Sequence, residues 1–188
     1  MNKILKTKFI IASSVAILSF IVYLPSLQNE FVNWDDNKYI YENAFISSLD
    51  TQLLKSAFTE FHESNWHPLT WLSHALDYAI WGANPLGHHL TNNILHALNT
   101  LMVVLLVMRL MEVFMKTAGN NGQSQPFINN RTIVITGVVT GLLFGLHPIH
   151  VESVAWAAER RIFCVPFFSC SVLRPIHITW LISAQLPS

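Results

Sequence analysis

The chain has 188 residues, of which 52% are hydrophobic and only 12% charged, with 11 basic and 11 acidic side chains in balance. A soluble domain carries about a quarter of charged residues, so the composition excludes an ordinary water-soluble fold, and a net charge of zero gives no footing for a nucleic-acid partner. The only two cysteines, Cys164 and Cys170, sit in an apolar tail and imply neither a disulfide framework nor a zinc ligand set.

Membrane spans come first in chain order. Phe9 to Leu24 is an uncharged apolar run of 16 residues behind Lys3, Lys6 and Lys8. It has the basic start of a signal peptide, but no small-x-small cleavage site follows it, so it reads as an uncleaved anchor. A second span is clearer: no charge falls between Asp77 and Arg109, and Ile94 to Leu110 is strongly apolar. A third covers Thr132 to Leu146, where Gly137, Gly141 and Gly145 line one helix face and permit close packing. A fourth candidate, Ile162 to Ala184, is interrupted by Arg174-Pro175.

Basic residues near span ends set the expected orientation. Three N-terminal lysines put the N-terminus in the cytoplasm, and Arg109, Lys116 and Arg131 mark Thr117 to Asn130 as a second cytoplasmic loop. Residues 25–89, with eight acids against two lysines, then face the other side. So does the end of the third span. The expected fold is therefore an all-α membrane protein of three to four transmembrane helices plus an outer loop with interfacial amphipathic helices. Its divisions are an N-terminal helix (1–24), the outer loop (25–89), helices two and three with their connections (90–163) and a divergent tail (164–188).

The outer loop has helical periodicity from Pro68: Leu69, Leu72, Leu76 and Ile80 recur on one face, His67, Thr70, His74 and Asp77 form a polar stripe, and Trp71, Tyr78 and Trp81 add an aromatic one. Such a helix suits a membrane interface. The second span opens with its own polar face, His89, Asn92, His96 and Asn99, which predicts hydrogen bonding between helices.

Chemistry is concentrated in Trp34-Asp35-Asp36, a few residues past the first span. Adjacent carboxylates at a membrane surface are costly unless something uses them; catalysis and the capping of the following turn are both open. His147, His150 and Glu152 at the far end of the third span, on the same face as the diacid, are donors at short spacing, open to metal ligation or to structural hydrogen bonding. Arg160 and Arg161 read equally as phosphate holders or as flanking charges.

The segments Phe31–Ile40, Asn65–Ser73, Trp81–Asn99 and Leu143–Trp156 occur together, and in this order, in one family. Over roughly residues 10–163 the chain resembles the N-terminal membrane part of type C glycosyltransferases related to transmembrane O-mannosyltransferases with tetratricopeptide repeats. The resemblance implies a multi-pass enzyme of the inner membrane that takes a sugar from a polyprenyl-phosphate carrier to a protein acceptor. It implies Asp35 and Asp36 as the catalytic acidic pair, and His67, His147, His150, Glu152 and Arg160 are the candidate substrate-binding residues. No metal ligand set is assigned; a divalent metal stays open as a cofactor. The family pattern fades after about Cys164, and residues 1–188 contain no tetratricopeptide period, so the expectation is a truncated product, frameshifted near residues 161–170 and inactive alone. Two other classes stay open: a non-enzymatic membrane subunit that binds a partner through its outer loop, and a metal-handling protein suggested by nine histidines.

Overall fold

The computed structural model describes residues 3–63, 65–120 and 129–160, and the regular structure among them is helical throughout. The fourth span candidate, both cysteines, Arg161 and the tail from 164 lie outside the described residues.

Three helices make the membrane part. Helix α1 (Lys3–Val22) has 20 residues, about 30 Å at 1.5 Å per residue, which matches the hydrocarbon thickness of a bilayer. Pro25 opens the tight turn Leu24–Gln28 that follows it. Helix α4 (Pro85–Asn120) runs for 36 residues and extends well past the apolar run that marks it in the sequence. Helix α5 (Asn130–Gly145) is capped by Asn129, whose Oδ1 accepts from Thr132 N at 3.0 Å. At 16 residues α5 is short for a span, but α6 (Ile149–Ala155) continues it after a 60° bend at His147-Pro148. Proline has no N–H to continue the ladder there. The chain is a multi-pass membrane protein with two spans by length and apolarity, or three with the bent pair counted as one.

The glycine face of α5 packs on α4, and α1 closes the trio around Ala12, Val15, Val104, Met108 and Ile133. The polar face of α4 turns inward, as its periodicity predicts. Asn93 Nδ2 donates to the Phe20 carbonyl at 3.1 Å, Ser19 Oγ to the Gly145 carbonyl at 3.2 Å, and His96 Nε2 meets that same carbonyl at 2.9 Å. Polar side chains thus pair inside the bundle rather than face lipid. At the other end Lys8 of α1 forms an ion pair with Glu112 of α4, which Arg109 shares.

A methyl group built on Gly141 would lie 2.2 Å from Val104 Cγ2, a branched side chain with nowhere to swing. Gly141→Leu is therefore expected to pry α5 from α4 and cost about 1–3 kcal/mol, read as a lowered midpoint of thermal unfolding in detergent. Gly137→Ala meets the flexible Met108 instead and should cost less. A Gly141→Leu protein as stable as the parent would contradict this packing.

Between α1 and α4 the chain builds a small helical unit of its own. Asp50 caps α2 (Thr51–Thr59) by accepting from Leu53 N at 2.7 Å, and α3 (Pro68–Trp81) begins on Pro68, where a missing N–H costs nothing. Gly82 ends α3 with φ +60°, a conformation that a side chain would resist. The unit's core is Tyr39, Ile40, Ile46, Leu53, Ala57, Trp71 and Ala75, with Tyr39 and Trp71 stacked at 4.8 Å. Ala157 and Ala158, from the turn beyond α6, complete that core.

The α3 helix is reversed relative to a soluble amphipathic helix. Thr70, His74 and Asp77 of its polar stripe are buried, whereas Leu76, Ile80 and Trp81 face outward. An outward apolar face suits a helix at a membrane surface, and the buried stripe has specific partners.

Candidate active site

The Asp36 side chain is wholly buried, and both its carboxylate oxygens are occupied. Oδ2 accepts from Val32 N at 2.8 Å and Oδ1 from Ala158 N at 2.9 Å. The first bond closes a loop over residues 32–36, and the second ties that loop to the turn Ala157–Arg160, 122 residues away. Burial pushes the Asp36 carboxyl above its ordinary range; the N–H groups of Val32 and Ala158 and the Trp156 indole pull the other way, while the charge of Asp35 adds to the rise. Asp35 itself is half-buried. Beside it Trp34 is 74% exposed, with its ring centroid 6.3 Å from that of Trp156.

On its other side the same turn is clamped by a buried ionic network. Arg160 has no exposed surface. Its guanidinium lies 2.6 Å from Asp77 Oδ2 and donates to Asn92 Oδ1 at 2.8 Å, Ser73 Oγ at 3.1 Å and the His88 carbonyl at 2.9 Å. Thr91 Oγ1 donates to the second oxygen of Asp77 at 2.8 Å, and Asn92 Nδ2 to the Trp156 carbonyl at 3.0 Å. Asp77 and Ser73 come from α3, Thr91 and Asn92 from α4, so one arginine joins three parts of the chain. Every donor face of the fork is used, which is what makes a buried guanidinium tolerable.

His74 lies in the same interior, its ring 6.2 Å from that of His88. Burial holds His74 well below the usual imidazole range, and the charges of Arg160 and His88 deepen the effect. It is neutral when folded, whereas the unfolded imidazole takes up a proton below its ordinary 6.5. Stability should accordingly fall as the pH drops from 6.5 towards 5, by up to about 1.4 kcal/mol per pH unit for one proton. Asp77, Arg160 and His88 share that interior and set its charge balance. Thermal unfolding across this range should show a shallower slope for His74→Phe; an unchanged slope would remove His74 from the account.

The remaining sequence candidates sit elsewhere. His67 precedes α3 and its carbonyl accepts from Trp71 N at 3.1 Å. His147 is exposed at the α5–α6 bend, where its Nδ1 accepts from Ile149 N at 3.2 Å. His150 is half-buried against Phe144 and His96, at ring separations of 4.6 and 5.4 Å. Glu152 is exposed in the first turn of α6. Tyr23, Pro25, Ser26, Leu146, Pro148 and Val151 line an open, mainly apolar groove of about 370 Å³ beside that bend. Among the described residues no three His, Cys, Asp or Glu side chains are placed to hold a metal ion.

Asp36 and Arg160 thus meet at one turn, with Asp35 next to Asp36 in the chain. Sequence reasoning missed Asp77, Ser73, Asn92 and Trp156 as its partners. One signal was visible: Asp77 is the last acid before a long uncharged stretch, and a lone carboxylate entering a membrane helix calls for a cation.

The chain is 30% identical over 175 residues to the Drosophila melanogaster protein O-mannosyl-transferase Tmtc2, covering 87% of this chain and 16% of that protein. It is a relative of the protein O-mannosyl-transferases. Tmtc1 of the same organism is 32% identical over 151 residues, covering 76% of this chain and 15% of Tmtc1. The Mus musculus protein O-mannosyl-transferase TMTC4 is 28% identical over 176 residues, covering 85% and 22% respectively. The chain therefore spans less than a quarter of the length of these O-mannosyl-transferase relatives. No family model and no solved structure matches it.

Proposed function

We propose that this chain supplies the acceptor-side part of a membrane glycosyltransferase that moves a sugar from a polyprenyl-phosphate carrier to a protein hydroxyl. The observation that carries the reading is the division between the two acids: Asp36 is consumed by Val32 and Ala158 N–H groups, which leaves Asp35 as the half-exposed carboxylate of a pinned loop. In the reaction, the acceptor oxygen forms a bond to the anomeric carbon and gives its proton to Asp35 as general base. The bond from that carbon to the phosphate oxygen breaks, and the lipid phosphate leaves with the electron pair. Arg160 contributes by holding the turn that holds Asp36. The apolar groove beside the α5–α6 bend suits the start of the carrier's isoprenoid chain; His147 and His150, next in sequence to its lining residues Leu146, Pro148 and Val151, are assigned with Glu152 and His67 to substrate binding.

The charge pattern supports a location in the cell inner membrane with the N-terminus in the cytoplasm and residues 25–89 on the outer side. The reading takes the chain as one part of a larger catalytic unit, inactive by itself. Its test is a chimera in which this chain replaces the matching residues of Tmtc2, assayed for transfer of mannose from a short-chain polyprenyl-phosphate mannose to a serine- and threonine-containing peptide. Transfer by the chimera that Asp35→Asn removes supports the reading. An active chimera indifferent to Asp35→Asn overturns it in favour of a non-catalytic subunit that binds a partner through the same loop.

A further inference from the structure

We infer that Trp34 and Trp156 form the platform on which the transferred sugar ring lies; this rests on the glycosyltransferase reading above and names a site within it. Trp34 leaves 74% of its surface exposed, and the backbone that carries it is held in place rather than left loose. Trp34 N donates to the Val32 carbonyl at 2.8 Å, while Val32 N donates to Asp36 at 2.8 Å. Residues 32–36 are therefore pinned at both ends, and the loop has little freedom to fold Trp34 away. The backbone of Trp156 is fixed just as firmly: its main-chain N–H donates to the Glu152 carbonyl at 2.9 Å and its carbonyl accepts from Asn92 at 3.0 Å.

The two rings are inclined at 54° with centroids 6.3 Å apart. They make an open V rather than a closed stack, so an aromatic face stays free for a ligand. A hexopyranose fits such a surface. One face of the ring carries C–H bonds whose positive edge meets the negative face of an indole, while its hydroxyl rim needs acceptors. Asp35 follows Trp34 in the same pinned loop, and the Asp36–Ala158 bond places Trp156 on the other wall. Stacking would hold the anomeric carbon beside the base, which is the positioning that a bond-forming step requires. Among the exposed aromatics of the same unit, Phe61 and Trp66 belong to the α2–α3 connection, and among the described residues neither forms a ring pair with a second tryptophan as Trp34 does with Trp156.

The chain reconstituted in lipid nanodiscs, with methyl α-D-mannopyranoside as probe and myo-inositol as a polyol control, provides the test. Saturation-transfer NMR should show the sugar's ring C–H protons in contact with protein, with no such signal from inositol. Trp34→Ala should weaken binding at least tenfold without lowering the thermal midpoint, Trp34→Phe should stay within threefold of the parent, and Trp66→Ala should change nothing. Parent-like binding by Trp34→Ala, or no sugar contact in the parent protein, overturns the platform. So does a Trp34→Ala protein that loses only its association with lipid, because Trp34 is then a membrane anchor. The chimera separates this failure from that of the wider reading. Loss of transfer in Asp35→Asn together with an unchanged KM in Trp34→Ala sinks the platform alone, whereas Trp34-dependent sugar binding with no dependence on Asp35 sinks the catalytic assignment alone.

Discussion

Arg160→Met should lower the stability of the protein by about 3–5 kcal/mol, the range found when one partner of a buried ion pair is removed. The expectation follows from what the substitution leaves behind. Asp77 is almost wholly buried and would keep the Thr91 hydroxyl and the more distant His88 ring against its negative charge, while Asn92 and Ser73 would lose their donor. Asp77→Leu should be costly for the converse reason, stranding a guanidinium among α3, α4 and the turn after Trp156. The double variant Asp77→Leu, Arg160→Met is expected to be more stable than either single one, since an apolar pair of similar volume replaces an ion pair at little net cost. Chemical unfolding in detergent micelles, followed by tryptophan fluorescence, measures all three. A single variant within about 1 kcal/mol of the parent would mean that the network is wet and loosely held, contrary to its burial.

The second large effect separates the two neighbouring acids. Asp36→Ala removes the acceptor from the buried Ala158 N–H and from the part-buried Val32 N–H, and an orphaned buried donor costs about 1–3 kcal/mol, so a loss of roughly 2–4 kcal/mol is expected. Asp35 is half-buried and its carboxylate holds no comparable bond among the described residues, so Asp35→Asn should leave stability within about 0.5 kcal/mol of the parent. On transfer by the chimera the order inverts: Asp35→Asn should reduce the rate by about 10²–10⁴-fold, the usual contribution of a positioned general base. Asp36→Asn keeps one acceptor oxygen and should be intermediate in stability. Were Asp36→Ala to prove as stable as the parent while Asp35→Asn unfolded, the roles would have to be exchanged.

The spans were legible because each is a local property: apolar length marks α1 and α4, and a four-residue glycine spacing marks the face by which α5 meets α4. The inward polar face of α4 was legible too, since asparagine and histidine at helical spacing have few other uses in lipid. The approach of the diacid to the far end of the third span could be anticipated from charge asymmetry alone. What stayed hidden was long-range pairing. Arg160 read as equally a phosphate ligand or a flanking charge because nothing near it in sequence identifies Asp77, on another helix, as its partner. For the same reason the polar stripe of α3 could not be assigned an inside or an outside: the amphipathic pattern is symmetrical in that respect, and only the arrival of Arg160 makes the polar side the buried one. The bend at His147-Pro148 was foreshadowed by proline, but its 60° angle depends on the packing of α6 against the turn that follows α1.

The bond from Ala158 N–H to Asp36 also has a meaning in time. The two residues stand 122 positions apart, and a ribosome adding about 5–20 residues per second needs roughly 6–24 s to pass from one to the other. Once the unit between α1 and α4 has been made, it still lacks Ala157 and Ala158 in its core, Asp77 has no cation, and α4 and the bent pair α5–α6 must still enter the bilayer. Chaperone or protease access to the loop should therefore end at a definite moment, when the arginine emerges. The closing turn acts as a clock for biogenesis, and a nascent chain stalled before residue 157 should be the most readily degraded form of this protein.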